Sequence, residues 1–263
     1  MPLTGFQSAI GRLLAANRSE DSYLAGGAAI LAAPNTLRYS HDLDYFQDSA
    51  ARVASAWDAD RALLADHGYG VELELSQPGY IRAVVSLVRE RTKIEWAQDS
   101  TWRFLPVIRS EEFGYQLHPL DLATNKVLAL AGRDEPRDLL DTLHLHEHVL
   151  RLGSLVWAAV GKDPGYSPLS LLEMLRRRGR IQPADLARLD LAGPVDLQQV
   201  KEAWLAALGE TERFVRTQPP GEAGCLYWSP SRNAFVCPDD GKPGDAVPHY
   251  GRPGGVLPRV VGD

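Results

Sequence analysis

A pair of glycines followed closely by two carboxylates is the feature of this sequence that most constrains its fold. Gly26 and Gly27 precede a short apolar segment, and Asp42-Leu43-Asp44 comes after it. Adjacent glycines let the backbone approach a polyanion, and a helix N-terminus offers unpaired N–H groups and a positive dipole end. The pattern therefore predicts a phosphate-binding turn in front of a short helix.

The two carboxylates predict a metal site on a strand. Alternate residues of a strand share a face, so a strand over residues 41–46 directs Asp42 and Asp44 to one side. Neighbouring carboxylates repel each other unless a cation lies between them, and Mg²⁺ prefers a few carboxylates together with substrate phosphate oxygens. Asp-x-Asp triplets also occur in solvated turns, so the prediction depends on the upstream glycines and on Arg38 and Ser40.

Glu95 has two interpretations. If residues 91–96 form a strand, Lys93 and Glu95 share one face, and the apolar residues that alternate with them lie on the other. Glu95 is then either a third metal-binding carboxylate or an exposed strand residue paired with Lys93 or Arg91. The sequence leaves both interpretations open.

The periodicity of the chain predicts an α+β fold with a small mixed sheet. Helical spacing of apolar residues is followed by strand-like alternation, and a turn at Gln77-Pro78-Gly79 joins two of the strands. The expected helices cover 3–17, 28–33 (ending at Pro34-Asn35) and 49–67, and the expected strands after them cover 71–76, 81–88 and 91–96.

The second half of the chain predicts helices and then a tail. From Pro119 nearly to Thr217 the pattern is helical, with breaks expected at Gly132, Gly153 and Gly179. The tail holds 8 of the 18 prolines and 8 of the 23 glycines, so much of it cannot be helix or central strand. We expect a core over 1–117, a helical domain over 118–217, and a Pro/Gly-rich tail over 218–263 with a hairpin between 226–228 and 234–236.

Composition excludes several classes of protein. A chain of 263 residues with 44% hydrophobic content can bury one substantial core or two modest ones. A net charge of −6 argues against a protein whose whole surface binds nucleic acid. We expect no membrane partner and a cytoplasmic location, because no apolar run approaches a membrane span and the N-terminus has no signal-peptide core. Cys225 and Cys237 are too few for a disulfide framework or a four-cysteine zinc site.

The helical half carries its own charged pattern. Lys126 suits the neutralisation of a triphosphate as a point charge, whereas Arg133 and Asp138 suit an ion pair that joins two helices. The ordered blocks are Gly26-Gly27, Arg38-x-Ser40-x-Asp42-x-Asp44, Asn125-Lys126-x-x-Ala129-x-x-x-Arg133 and Arg137-Asp138-x-x-Asp141.

Over about residues 24–143 these blocks resemble the AbiEii/AbiGii toxin family, which belongs to the polymerase-beta-like nucleotidyltransferase superfamily. The resemblance implies a nucleotidyltransferase core that transfers NMP from an NTP to an acceptor hydroxyl with one or two Mg²⁺. It also implies a toxin of a toxin-antitoxin or phage-defence system, with an antitoxin protein as partner. A tRNA or another RNA is the expected acceptor, and a protein hydroxyl or a small molecule stays open, because the fold does not specify the acceptor. The predicted catalytic residues are Asp42, Asp44, Glu95 and Lys126, of which the resemblance implies Asp42, Asp44 and Lys126, while the strand pattern adds Glu95. Asp42, Asp44 and Glu95 are predicted to bind metal, and the residues predicted to bind nucleotide are Gly26, Gly27, Arg38, Ser40, Lys126, Asp138 and Asp141.

Some assignments stay open within that resemblance. Either Asp138 or Asp141 matches the last family motif, and the sequence does not decide which one faces the cleft. Ala28 stands where the family usually has Ser or Thr, and losing one neutral hydrogen bond to a phosphate costs about 0.5 to 1.5 kcal/mol. The alternative function is therefore a non-catalytic protein that binds nucleotide or a partner on the same scaffold.

Two further clusters have competing interpretations. The run Arg176-Arg177-Arg178-Gly179-Arg180 either contacts an RNA backbone or caps a helix whose dipole it complements; the cap is the commoner case. His144 and His148 are four residues apart and share a helical face, but no third ligand is evident, so we favour ordinary helix histidines over a zinc site.

Overall fold

The computed structural model describes residues 3–31, 37–133, 135–238 and 244–258. The predicted helix end at Pro34-Asn35 lies outside this part. The helices are α1 Gly5–Leu14, α2 Gly26–Leu31, α3 Ala50–Asp66, α4 Pro119–Gly132, α5 Pro136–His148, α6 Leu152–Ala159, α7 Pro168–Arg178, α8 Pro183–Leu186 and α9 Leu197–Thr217. The strands are β1 Ser22–Ala25, β2 Asp42–Gln47, β3 Gly70–Gln77, β4 Tyr80–Leu87, β5 Glu90–Gln98, β6 Trp102–Arg103, β7 Ile108–Ser110, β8 Gly114–Gln116, β9 Leu226–Ser229, β10 Ala234–Val236, β11 Val247–His249 and β12 Arg252–Pro253.

The chain divides into two compact units. The N-terminal unit comprises Met1–Thr101 and Pro106–His118, and the C-terminal unit comprises Trp102–Leu105 and Pro119–Asp263. The finer division into core, helical domain and tail stays a prediction.

A mixed sheet of seven strands organises the N-terminal unit, in the order β3-β4-β5-β2-β1-β8-β7. Its pairs are antiparallel except β2 with β5 and β1 with β8, which are parallel. The predicted α+β class with a mixed sheet is confirmed. The predicted turn at Gln77-Pro78-Gly79 joins β3 to β4, and Gly79 takes a φ of +76°, which a side chain would disfavour.

One face of this sheet is covered by α1 and α3. Side chains of both helices pack with alternate residues of the central strands into one apolar cluster. The helices start where the sequence caps them, because Thr4 and Gln7 form a capping box and Ser49 accepts a hydrogen bond from the amide of Arg52. Leu43 and Tyr45 of β2 point into this core and are fully buried. Their neighbours Asp42 and Asp44 therefore lie on the opposite face.

The C-terminal unit packs helices α4 to α9 together with two small sheets. The segments expected to form a hairpin pair antiparallel, with Trp228 opposite Phe235, and β11 adds a third strand beside β9. The break expected at Gly153 lies slightly earlier, between α5 and α6, and Gly153 is the second residue of α6. Its missing side chain leaves room for Phe214, whose ring would lie 2.9 Å from an added Cβ.

Among the described helices, none combines the length and the apolar character that crossing a membrane requires.

Candidate active site

The predicted phosphate turn lies at the junction of β1 and α2. Gly26 takes a φ of +59°, a left-handed conformation that favours glycine. A Cβ added to Gly26 would lie 1.8 Å from Oδ2 of Asp44, because Asp44 is opposite Ala25 in the antiparallel pair of β1 and β2. The carboxylate of Asp44 thus packs directly on the glycine backbone, and both the conformation and the contact require glycine at position 26.

The carboxylates of Asp42 and Asp44 share the sheet face opposite the core. Both residues are half-buried, and they alternate with buried Leu43 and Tyr45. The hydroxyl of Ser40 donates a hydrogen bond to Oδ1 of Asp42 at 3.2 Å and contacts its carbonyl oxygen at 3.0 Å. This hydroxyl therefore holds the first carboxylate in place.

Arg38 and Ser40 lie against the second glycine. A Cβ on Gly27 would come 3.1 Å from a guanidinium nitrogen of Arg38 and 3.4 Å from the hydroxyl of Ser40. Arg38 also donates to the carbonyl of Tyr39 at 3.0 Å. The structure thus brings together the predicted residues Gly26, Gly27, Arg38, Ser40, Asp42 and Asp44 in one place.

Gln7 supports this cluster and was missed by sequence reasoning. Its side-chain amide donates to the carbonyl of Ser40 at 3.0 Å and to the hydroxyl of Thr92 at 3.2 Å. Gln7 is buried and ties α1 to the segment before β2 and to β5. The Thr-x-x-Gln spacing of its capping box is visible in the sequence, but that signal predicts only a helix start.

Glu95 lies next to Asp44 but has a cationic partner. The parallel pairing of β2 and β5 places Glu95 beside Asp44, on the same face of the sheet. Nε of Arg82 lies 3.1 Å from Oε1 of Glu95, because the β4–β5 register sets these two residues opposite each other. The predicted pairing of Glu95 with Lys93 or Arg91 is therefore wrong about the partner, and its role as a metal ligand stays a prediction.

A buried ion pair lies behind the carboxylates, on the core face of the sheet. Nη2 of Arg18 is 2.5 Å and 2.6 Å from the two carboxylate oxygens of Asp60, and both side chains are fully buried. Asp60 also accepts a hydrogen bond from the indole of Trp96 at 2.7 Å. The guanidinium of Arg18 stacks 4.4 Å from the ring centre of Tyr45. The pair thus fixes Tyr45 and Trp96, the neighbours in sequence of Asp44 and Glu95.

The remaining predicted residues lie together in the C-terminal unit. Nζ of Lys126 is 2.9 Å from Asp138 and 3.1 Å from Asp141, and all three residues are buried. Arg133 binds Asp138 at 2.6 Å, so the ion pair expected between these two residues is present. Burial would raise the pKa of Asp138, but hydrogen bonds from Arg133 and Lys126 hold it below its ordinary value.

The donor set of the N-terminal unit fits Mg²⁺. Among the described residues, no group of three or more His, Cys, Asp or Glu side chains converges as a metal cage. Mg²⁺ usually takes one or two carboxylates and completes its shell with water and substrate phosphates. The pair Asp42 and Asp44, beside a glycine turn that can approach a phosphate, provides that kind of site.

The two competing clusters have local partners. Arg176 pairs with Glu212 at 2.5 Å, and Arg177 pairs with Glu173 at 3.2 Å. Two of the four arginines in the run thus pair with nearby carboxylates, which agrees with a role at the helix C-terminus rather than with RNA binding. The rings of His144 and His148 stack at 4.3 Å, and the Nδ1 of His148 lies 2.9 Å from the carbonyl of His144.

Comparison with known proteins identifies the fold. No protein-family model and no curated protein matches the chain by sequence. MenT4, a nucleotidyltransferase toxin from Mycobacterium tuberculosis H37Rv, aligns with a TM-score of 0.51 at 16% identity, over 81% of this chain and 82% of MenT4. The chain has a nucleotidyltransferase fold.

Two Helicobacter pylori structures align less closely with this nucleotidyltransferase fold. One, described as a nucleotidyltransferase, has a TM-score of 0.46 at 19% identity and covers 79% of this chain and 92% of its own. The other, JHP933, has a TM-score of 0.43 at 18% identity and covers 79% of this chain and 89% of its own. The fold implied by the family resemblance is confirmed by the MenT4 alignment.

The contact between Gly26 and Asp44 gives a sharp prediction. Changing Gly26 to Ala should displace the Asp44 carboxylate, and a misplacement of about 1 Å can lower an enzymatic rate about 100-fold. Gly68 is the matched control, since its φ is +79° but nothing lies within 4 Å of an added Cβ. Both variants should lose about 1 to 2 kcal/mol of stability from the left-handed backbone. Only Gly26→Ala should lose nucleotide transfer; equal transfer rates in the two variants would contradict the assignment.

Proposed function

We propose that this protein is a Mg²⁺-dependent nucleotidyltransferase, which transfers NMP from an NTP to an acceptor hydroxyl and releases pyrophosphate. The observation that carries the proposal is the packing of Asp44 on the Gly26 turn, with Asp42 on the same sheet face. A polyanion bound at the glycines would lie beside the two carboxylates. A metal-assisted phosphoryl transfer requires its metal-binding carboxylates next to the phosphates in this way.

We assign phosphate binding and metal binding to different residues of the N-terminal unit. The backbone N–H groups of Gly26 and Gly27 would donate hydrogen bonds to the phosphates, and Arg38 would neutralise part of the phosphate charge. Asp42 and Asp44 would hold the metal. When bound, Mg²⁺ supplies charge neutralisation at the phosphate oxygens and acidifies the acceptor hydroxyl.

The proton of the acceptor hydroxyl has two candidate acceptors, Glu95 and Asp44. The ion pair with Arg82 fixes the Glu95 carboxylate beside Asp44. Both carboxylates therefore stay candidates for this proton, and Asp44 is the one that lies against the Gly26 turn.

Lys126 is proposed as a contact to the nucleotide phosphates on the strength of the family resemblance. An ammonium group has three N–H donors, and Asp138 and Asp141 each accept from Lys126. Among the described residues these two are its carboxylate partners, which leaves one donor for a phosphate oxygen. Asp138 and Asp141 would orient the lysine in this role.

The acceptor and the biological role follow from similarity alone. The name of MenT4 describes it as a nucleotidyltransferase toxin, and on that basis we propose a toxin role for this chain. An RNA 3′ end, such as that of a tRNA, is the proposed acceptor, and an antitoxin protein is the proposed partner. The fold alone specifies neither the acceptor nor the partner, so both proposals depend on the similarity.

Label transfer tests the proposal directly. The protein is incubated with each α-labelled NTP, Mg²⁺ and total tRNA, and labelled RNA and free pyrophosphate are both measured. We expect label in RNA and an equal amount of pyrophosphate, and chelation of the metal should stop both. If every NTP leaves RNA unlabelled and no pyrophosphate forms, the proposed activity is wrong.

A non-catalytic nucleotide-binding protein is the alternative. The Arg82–Glu95 ion pair favours it, because a carboxylate bound to a guanidinium is a poorer metal ligand. Ala28 adds to this case, since its fully buried side chain offers no hydroxyl to a phosphate. Saturable, Mg²⁺-dependent NTP binding without pyrophosphate release would identify this alternative.

A further inference from the structure

A polar cavity in the C-terminal unit is lined by none of the residues of the proposed active site. It has a volume of about 350 Å³ and opens between the end of α5, the start of α6 and α9. Its imidazole and charged groups belong to His146, Arg151, Arg213 and Glu210. The other lining residues are Gly153, Thr211, Phe214, Cys237 and Pro238.

The imidazole of His146 is fixed in one tautomer. Its Nδ1 lies 2.9 Å from the backbone nitrogen of Leu152, which can only donate, so Nδ1 accepts. The neutral ring must then carry its proton on Nε2. Burial and the nearby Arg151 lower the pKa of His146, which keeps the ring neutral at physiological pH. The residue is 9% exposed, so its orientation is set by the fold.

This tautomer places two donors face to face. Nη1 of Arg151 lies 3.4 Å from Nε2 of His146, and both atoms carry hydrogen. Neither can accept from the other, so the pair lacks an acceptor between them. An oxygen atom placed beside both donors would satisfy them together.

The cavity also carries excess positive charge. Among the described residues, neither Arg151 nor Arg213 forms an ion pair with a carboxylate, although Glu210 lines the same cavity. Arg216, one turn further along α9, is instead held by Glu212 at 2.7 Å. Among the described residues that line the cavity, two guanidinium groups and an N–H donor thus face a single carboxylate. The N-terminus of α6 adds a positive dipole end at Gly153.

We propose that this cavity is a binding site for a phosphate group, held by Nε2 of His146 and by the guanidinium groups of Arg151 and Arg213. A tetrahedral oxyanion offers several acceptor oxygens to donors that converge from different directions, and guanidinium groups bind it through paired hydrogen bonds. The volume admits a phosphate or pyrophosphate with water. It also admits one phosphate of an RNA backbone that passes over the opening.

Inorganic phosphate is the first probe, and the side-chain nitrogen resonances of His146 report on the site itself. Two-bond ¹H–¹⁵N spectra of the full chain should show the Nε2–H tautomer and a saturable shift of His146 as phosphate is added. Arg151→Gln and Arg213→Gln should each weaken this binding about tenfold or more, since charge-assisted hydrogen bonds are lost. Arg216→Gln is the matched control on the same helix and should bind phosphate like the unchanged protein.

A short single-stranded RNA without terminal phosphates distinguishes the two sources of the phosphate group. If the RNA displaces phosphate and shifts His146, the site binds a backbone phosphate; if it does not, the site takes free phosphate or pyrophosphate. Either result supports the proposal. It is overturned if phosphate leaves the His146 resonances unchanged, or if Arg213→Gln and Arg216→Gln bind phosphate equally. Because Asp44→Asn should retain this binding while losing transfer, failure here and failure of the proposed activity are separate results.

Discussion

Changing Asp44 to Asn should lower the rate of nucleotide transfer by more than about 100-fold, since even residues that only support a metal ligand contribute 10- to 100-fold. Asn keeps the shape of the side chain but removes the negative charge that a divalent cation requires. Asp42→Asn should have a similar effect. Transfer of label from an α-labelled NTP to RNA, measured over the first turnovers, checks this prediction.

The control for both variants is Asp58→Asn, because Asp58 is exposed on α3 and belongs to the same unit. All three proteins should unfold at similar temperatures, since the substitutions keep side-chain size. If Asp44→Asn and Asp42→Asn both transfer nucleotide at the rate of Asp58→Asn, the two-carboxylate mechanism is wrong.

Changing Asp60 to Asn should destabilise the N-terminal unit by about 3 to 5 kcal/mol, the usual cost of leaving one partner of a buried ion pair alone. Asp60 is the carboxylate that Arg18 binds, and one guanidinium nitrogen of Arg18 is already buried without a hydrogen-bond partner. Asn would leave that cation uncompensated in the core. Urea unfolding, followed by circular dichroism and tryptophan fluorescence, measures the change.

Asp58→Asn is again the matched control, because it makes the same chemical change two residues away on α3. A surface substitution of this kind should alter stability by no more than about 0.5 kcal/mol. If Asp60→Asn unfolds at the same urea concentration as Asp58→Asn, the ion pair does not hold the unit together.

Local patterns were sufficient to predict the first half of the candidate site. Alternation in a short strand sets Asp42 and Asp44 on one face, and a glycine pair before a helix indicates a close backbone approach. Neither inference needs to know which strands are neighbours. The conformation of Gly26 and the common face of the carboxylates therefore agree with the sequence.

The partners of those residues depend on long-range pairing, which local patterns do not encode. Glu95 comes beside Asp44 only because β5 joins β2 in parallel, and Arg82 meets Glu95 through the register of β4 with β5. Asp60 did leave a local signal, since it lies three residues after Trp57 and four before Leu64 on the apolar face of α3. A carboxylate on the apolar face of a helix predicts a buried cationic partner for that carboxylate.

The parallel pairing of β2 with β5 also sets the point during folding at which Glu95 comes beside Asp44. Asp44 and Glu95 are joined in register although they lie 51 positions apart in the chain, and α3, β3 and β4 intervene. Contacts so distant along the chain form slowly, because a long loop must close before they stabilise anything. During synthesis, Asp42 and Asp44 thus leave the ribosome well before Glu95 does. Glu95 joins the two carboxylates only after β5 has paired with β2.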